Sequence, residues 1–486
     1  MNIRNSASKR TATRASGYHV ASLLSSGLLM AAGLVLAGAA QAQTASAPAA
    51  SDSSLTYHGI TLYGIIDIGL QAETHGAPYS DYFPAGGDDL LQKNSAGSVT
   101  GVTPNNMSQS RIGIQGSEPI AGDWTGVFRV ETYFNPQSGD FSDGLKSLTL
   151  NAGKSAANQT TGVDTSVAGE LFQQAYAGFS SPTIGTLTFG RQNTILADGI
   201  AKYDPQGASQ AFSVIGFSGT TAGGGDTQDR RLDNSFKYVL NFAGFHAGGM
   251  YKLNGTNGSA NTALELQLGA NFAGLSVDAY YTSVRDAVSV SALSAAQLNG
   301  NPAAVPPVPS LAQLGYSPTN ALSGTISDNT AYAFMGMYNL GDWKFYGGYE
   351  RIQYANPSAP LAAGFNDIGG YVLAYVNNAA FPNQKVLQVY WGGAKVTVMS
   401  DLDLTAAVYA YKQNSYAAGA DALCSSNISG ACSGTLTAWS VSADYRITKR
   451  LDTYIGVMYS EVAGGLSNGY LNTNTADPTI GVRYKF

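Results

Sequence analysis

The chain reads as an all-β protein: a 16-stranded antiparallel transmembrane β-barrel with short turns at one end and long loops at the other. Three observations carry that reading. The first is the segment from Thr479 to Phe486, where Ile480, Val482, Tyr484 and Phe486 share one face and Gly481, Arg483 and Lys485 the other. A period-2 alternation therefore runs to the final residue, and a strand with one apolar and one charged face fits a sheet between lipid and water. The second is composition. Only 12% of the 486 residues are charged, with 58 Gly and 29 Tyr. About 25% charged is usual, yet mean hydropathy is only −0.05. Low charge without high hydropathy suits strands that alternate lipid-facing and lumen-facing residues, although a secreted soluble β-rich protein shares that composition. The third is the sorting of the connections by length.

Residues 1–42 read as a cleaved secretory signal peptide. Arg4, Lys9, Arg10 and Arg14 form a basic start without an acid, an apolar stretch follows to Ala40, and Ala40-Gln41-Ala42 is an A-x-A cleavage site. Residues 43–58 read as a short Ala/Ser-rich spacer and 59–486 as one barrel domain. Beyond the leader there is no run of about 18 apolar residues, which excludes a helical membrane protein. Removing the leader takes four of the 26 Lys and Arg, leaving 22 against 32 acids, net −10. That balance argues against nucleic acid as a partner and would mildly favour cations in a water-filled lumen.

Strand-like runs fall at 61–71, 109–118, 124–134, 172–180, 185–191, 234–242, 245–253 and 263–272. They continue at 275–285, 330–340, 343–354, 385–398, 402–412, 436–447, 451–462 and 478–486. Sixteen is even, as a barrel whose ends meet on one side requires. Short turns such as Ala243-Gly244, Ala273-Gly274 and Gly341-Asp342 alternate with long segments rich in Gly, Asn, Ser and Pro at 72–108, 135–171, 192–233, 286–329, 355–384 and 413–435. Short periplasmic turns opposite long external loops are the outer-membrane pattern. In 234–242, Phe236, Tyr238, Leu240 and Phe242 oppose Ser235, Lys237 and Asn241; lipid can cover such an apolar row, and closure leaves no unpaired backbone in hydrocarbon. Trp124 and Trp343, near strand ends, suit the interfacial girdles.

Two cysteines, Cys424 and Cys432, stand in a Ser/Gly/Asn-rich segment. In an exported protein they read most simply as a disulfide closing a small loop, with metal ligation the alternative; no His or third Cys is near. Catalytic patterns are missing. Of four His, His19 leaves with the leader, His58 and His75 flank the first strand and His246 stands alone, so no serine-type triad is legible. No metal-ligand spacing and no phosphate loop appear, so neither an enzyme nor a cofactor is expected.

Several segments are similar to a known family. LYGIIDIGL (62–70), SRIGIQGSEPI (110–120), QAYAGFSSPTIGTLTFGRQ (174–192), NSFKYVLNFAGF (234–245) and GVMYSEVAGGLSNGYLNTNTADPTIGVRYKF (456–486) resemble the general porins of Gram-negative bacteria, of the type found in Burkholderia and its relatives. The likeness spans the chain from about residue 59 and is strong in strands, weak in loops. It implies a homotrimer of sixteen-stranded barrels among outer-membrane lipid and lipopolysaccharide. Its third long loop would fold inward as a constriction, with small hydrophilic solutes and ions passing. The same resemblance places Arg111 and Arg231 on the constriction wall and finds Gln173 where the family carries arginine. Arg129 and Glu131, opposite Phe128 and Val130, should face the lumen. The third loop supplies Asp198 and Asp204 as facing acids, while the position of a second family acid holds Ala208. Lys202, Asp226 and Arg230 read as solvated charges. Phe486 resembles the signal by which outer-membrane assembly machinery recognises its clients.

Acids and arginines across a narrow gap would impose a transverse field, which low-dielectric walls focus. Three functions follow as expectations: a diffusion porin for small hydrophilic solutes; a substrate-selective channel, left open by Tyr454 and the tyrosines of 332–354; and a non-transporting surface barrel or adhesin.

Overall fold

The computed structural model describes residues 55–76, 91, 95–139, 171–215, 231–254, 262–290, 301–303, 307, 324–358, 367–368, 371–372, 382–427 and 429–486, and every structural statement concerns these. The leader, spacer residues 43–54, and Asp226 and Arg230 of the third loop lie outside them.

Alternating apolar and polar residues give long strands, and these close on themselves. β1 (Ile60–Gly76) is followed by β2 in two pieces, β2a (Gly97–Pro104) and β2b (Arg111–Ala121). Then come β3 (Trp124–Tyr133), β4 (Gln174–Ser181), β5 (Gly185–Asn193), the helix α1 (Ile195–Tyr203), β6 (Arg231–Phe242), β7 (Phe245–Lys252) and β8 (Ala263–Phe272). β9 (Leu275–Val290), β10 (Gly324–Leu340), β11 (Trp343–Ala355), β12 (Lys385–Met399) and β13 (Leu402–Gln413) continue the wall. β14 (Gly434–Arg446), β15 (Leu451–Gly464) and β16 (Asn474–Lys485) complete it. With β2 counted once, the wall is a closed antiparallel barrel of sixteen strands. Closure is direct: β16 pairs with β1 from Ile65↔Lys485 to Gln71↔Thr479, and β1 pairs onward with β2b from Ile60↔Gly116 to Ile65↔Arg111.

The second strand departs from the sequence reading, which left residues up to 108 in a loop. Val and Thr in 97–104 suit a strand once the edge of β1 is available, and Gly97–Pro104 pairs there. Pro104 ends that piece, because it cannot extend the ladder, and Asn105 turns the chain at φ 66°. The break at 105–110 is a feature of the lumen, not of the outside.

At the short-turn end, the two-residue connections Ala243-Gly244 and Ala273-Gly274 place both residues at positive φ (51° and 85°, 48° and 84°). That is the turn whose twist matches a β-hairpin. On the outward face, Phe272 is 80% exposed and Phe242 67%. A soluble protein would bury such an apolar belt; lipid covers this one.

The buried apolar cluster lies inside the barrel. Ile195, Leu196, Ile200, Tyr203, Val214 and Ile215 of the third loop pack against Met250, Tyr280, Met335, Ile352, Leu387, Val389 and Trp391, which face inward from β7 to β12. The inward loop therefore covers part of the lumen wall. Inward positions on this side are apolar, so a loop laid on them removes both surfaces from water.

Cys424 and Cys432 are bonded, with Cα atoms 4.9 Å apart. The bridged segment docks on its neighbours: Gln413 Nε2 donates to the Cys432 carbonyl (2.8 Å) and Asn468 Nδ2 to the Asn427 carbonyl (2.8 Å). A bridge across a separation of eight residues restricts the open chain by about 2–3 kcal/mol. The Cys424→Ser/Cys432→Ser variant should therefore be cut faster by protease between 415 and 433 while the barrel stays intact. Equal cutting rates would show that docking alone holds the segment.

Candidate pore constriction

The third loop starts at Asn193 and runs round the inside of the wall. Thr194 caps α1, accepting from Ala197 N at 3.1 Å. The Glu265 carboxylate of β8 accepts from the next free amides, Ile195 N (2.7 Å) and Leu196 N (3.2 Å). A negative group at a helix N-terminus satisfies open N–H donors and the helix dipole together. The other end of α1 is held by Lys202 to Asp278 of β9 (3.2 Å), by the Tyr203 hydroxyl to Ser276 (2.7 Å), and by Trp391 Nε1 donating to the Tyr203 carbonyl (3.1 Å).

Beyond α1 the chain crosses β12 to β15 and reaches the break in β2. Three wall glycines make room: a Cβ on Gly248 would stand 3.1 Å from Ile195, on Gly393 2.7 Å from Pro205, and on Gly456 2.7 Å from Phe212. Gln206 donates to Ser440 (3.0 Å) and accepts from Ser442 (2.8 Å), and the Tyr411 hydroxyl donates to the Val214 carbonyl (3.0 Å). At the far end the Asn106 carbonyl accepts from Ala211 N (2.8 Å) and the Ser209 hydroxyl (2.9 Å), while Gln210 reaches Gln109 (2.8 Å). Asp67 of β1 shapes that anchor. It is fully buried and accepts from Met107 N (3.0 Å), Ser108 N (2.8 Å) and the Tyr454 hydroxyl.

The wall arginines sit on β2b, β3 and β6. Arg111 pairs with Glu131 on the next strand at 3.8 Å, and Glu131 also accepts from the Tyr63 hydroxyl (2.9 Å) and Gln174 Nε2 (3.0 Å). Arg129 donates to Gln115 (2.7 Å) and lies 5.6 Å from the Tyr63 ring centre. Arg231 is buried, donates to the Tyr133 hydroxyl and lies 4.5 Å over that ring. Gln173 is also buried, and its backbone N–H donates to the Glu131 carbonyl at 2.8 Å. The neighbouring Gln174 is the residue whose side chain touches the charge.

The loop acids take positions other than the sequence reading gave them. Asp198 is tied to Lys237 of β6 (3.0 Å) and to Asn193 (3.1 Å). Asp204 is 1% exposed and accepts from Gln206 N (3.2 Å), Ala208 N (2.8 Å) and the Tyr409 hydroxyl (2.7 Å). Burial pushes the Asp204 carboxyl above its ordinary value, opposed by these hydrogen bonds. Among the described residues neither acid makes an ion pair with a wall arginine. The physical reason is local: each carboxylate finds donors within its own loop or on the strand beneath it, and a fixed buried acceptor is stabilised by nearby amides more than by a distant charge. Among the described residues the carboxylate beside Arg111 is Glu131, on the wall itself.

Sequence reasoning missed Asp67, Glu265 and Asp278, which hold the loop. All three are inward-facing acids at odds with apolar or hydroxyl neighbours on their strands, which was the available signal.

A closed sixteen-stranded barrel with a charged interior, a lipid-facing exterior and an inward loop is an outer-membrane diffusion channel. The Gram-negative porin family matches residues 27–465, and the chain belongs to it. Solved structures of the same fold include the anion-selective porin from Comamonas acidovorans, 16% identical with a TM-score of 0.55, covering 88% of this chain and 99% of its own. Another is OmpT of Vibrio cholerae in its trimer form, 15% identical with a TM-score of 0.52 and coverages of 88% and 99%. No curated protein sequence matches.

Proposed function

We propose that this porin is a general diffusion channel for small hydrophilic solutes and ions, in which Arg111, Arg129 and Arg231 form a positive wall with Glu131 set among them. The observation carrying the reading is that grouping among the described residues: Arg111 and Arg129 beside Glu131 on β2b and β3, and Arg231 of β6 reaching Tyr133 of β3. It outweighs the bulk charge of the chain, because charges lining the lumen set selectivity. Of the tyrosines that left a selective channel open, Tyr332 and Tyr338 lie exposed on the outward face with Phe334, and Tyr454 donates its hydroxyl to Asp67, which favours the general channel over a dedicated binding track.

The assembled protein is a homotrimer in the outer membrane, surrounded by lipid and lipopolysaccharide, after removal of residues 1–42 and recognition of Phe486 by the assembly machinery. An apolar hollow of about 650 Å³ on the outward side of β1 to β5, lined in part by Ile60, Phe128, Phe179 and Phe189, supplies a face for a second copy. Purified protein in a planar bilayer should open in large ohmic steps, and a lasting absence of openings would refute the channel. In a salt gradient, Arg129→Ala should move the reversal potential toward the cation value; no movement would remove Arg129 from the selective wall.

A further inference from the structure

Directly across from each other on β11 and β12 stand two lysines, Lys344 and Lys395. Both face the lumen: Lys344 shares its side with Tyr346, Gly348 and Glu350, and Lys395 with Trp391 and Gly393, while Trp343 and Phe345 point outward. Like charges directly opposite on antiparallel strands repel. Nearby acids would be expected to relieve that repulsion, and they are already engaged. Asp403 is bonded to Arg446 (3.2 Å) and to the Thr397 hydroxyl (2.8 Å). Asp444 is bonded to Arg483 (2.9 Å), and Asp452 to Arg483 (2.9 Å) and Lys485 (2.8 Å). This end of the lumen thus carries Lys344, Lys395, Arg446, Arg483 and Lys485 beside Asp403, Asp444 and Asp452, with Asp67 directly opposite Arg483. Among the described residues the two lysines are the cations of this group with no carboxylate within 4.0 Å.

We infer that Lys344 and Lys395 form a binding site for a small multiply charged anion, of the phosphate or dicarboxylate class, between the third loop and the short-turn mouth. Its position follows from the sheet. Gly393, the seat of Pro205, precedes Lys395 by one inward position, and Lys344 lies two residues after the Gly341-Asp342 turn. Thr405, opposite Lys395 on β13, adds a hydroxyl-bearing residue to the same level. Two ammonium groups on flexible stems from opposed positions can close on one dianion, each as a point charge. The site is separate from the arginine wall of β2b, β3 and β6. It rests on the channel reading and adds a ligand class to it.

The test uses the whole barrel in planar bilayers bathed in potassium chloride, with inorganic phosphate as the probe. Phosphate added on the short-turn side should reduce the chloride current of wild-type protein. Lys344→Gln/Lys395→Gln should need about tenfold more phosphate for the same block, since two unit charges leave the site. Lys344→Arg/Lys395→Arg should retain the block, because charge and reach persist. Unchanged block in the glutamine variant would overturn the site while leaving the channel intact; a protein that opens no channel overturns both readings. Wild-type protein alone also decides the matter. Block must be stronger from the short-turn side than from the long-loop side, and equal or reversed sidedness overturns the proposal.

Discussion

Asp67→Ala should widen the pore: larger unit conductance, more current noise, and a third loop newly open to protease near residue 210. Asp67 is buried and its carboxylate takes two backbone amides and a tyrosine hydroxyl. Alanine leaves the amides of Met107 and Ser108 without an acceptor in a place water reaches poorly. Each such loss costs about 1–3 kcal/mol, enough to unseat the 105–110 turn without opening the barrel, whose ladders run elsewhere. The turn carries the Asn106 carbonyl, which accepts from Ala211 and Ser209. When it moves, the far end of the loop loses its attachment while α1 stays clamped by Glu265 and Asp278. Asp67→Asn, which keeps one acceptor oxygen, should give a smaller change in the same direction. A folded Asp67→Ala barrel with wild-type conductance would mean that the glycine seats at Gly393 and Gly456 suffice to hold the loop.

That division of labour explains what was and was not legible in the sequence. Strands were legible because a lipid-facing row must be apolar at every second residue, and the pattern is independent of tertiary context. The turns were legible because positive φ at two successive residues leaves a short list of sequences, Ala-Gly among them here. β2 was only half legible. Residues 97–104 carry no apolar row, and they are in the sheet because β1 continues to Gly76 and offers an edge.

The site was less legible for a different reason. Whether a charge faces solvent, pairs across a gap or serves as a local acceptor depends on which donors folding brings near it. Asp204 and Asp198 lie in the inward loop as the family resemblance implied, but their nearest donors are Tyr409, Lys237 and loop amides. Net charge is no guide to such a site either: in a chain with an excess of acids, Arg111, Arg129 and Arg231 lie near Glu131 among the described residues. Lumen glycines were a signal in plain view: Gly248, Gly393 and Gly456 stand at inward positions where a side chain would collide with the loop. Spacing alone could not say that a loop was there.

Replacing Phe486 with alanine should lower the amount of folded barrel in the outer membrane far more than it lowers the stability or conductance of barrels that do assemble. The last residue is part of the closing seam: its N–H donates to the Gly64 carbonyl (3.0 Å) and its carbonyl accepts from Gly64 N (2.9 Å). Its ring covers Gly64, where a Cβ would stand 2.3 Å from the ring edge, and stacks on Tyr484 at 6.4 Å. Alanine keeps both backbone bonds and loses only part-buried ring contact, worth about 1–2 kcal/mol. A barrel closed by seven register pairs between β1 and β16 tolerates that loss. The ring also lies on the outward side with Val482 and Tyr484, so the lumen charges and unit conductance should not change. An assembly apparatus that reads a terminal aromatic would fail well before the fold does. The two effects separate cleanly by measuring heat-modifiable folded protein in membranes, folded yield after refolding in detergent, and single-channel conductance. Normal membrane levels of Phe486→Ala would refute the recognition role, and a yield that falls equally in membranes and in detergent would assign Phe486 to the seam alone.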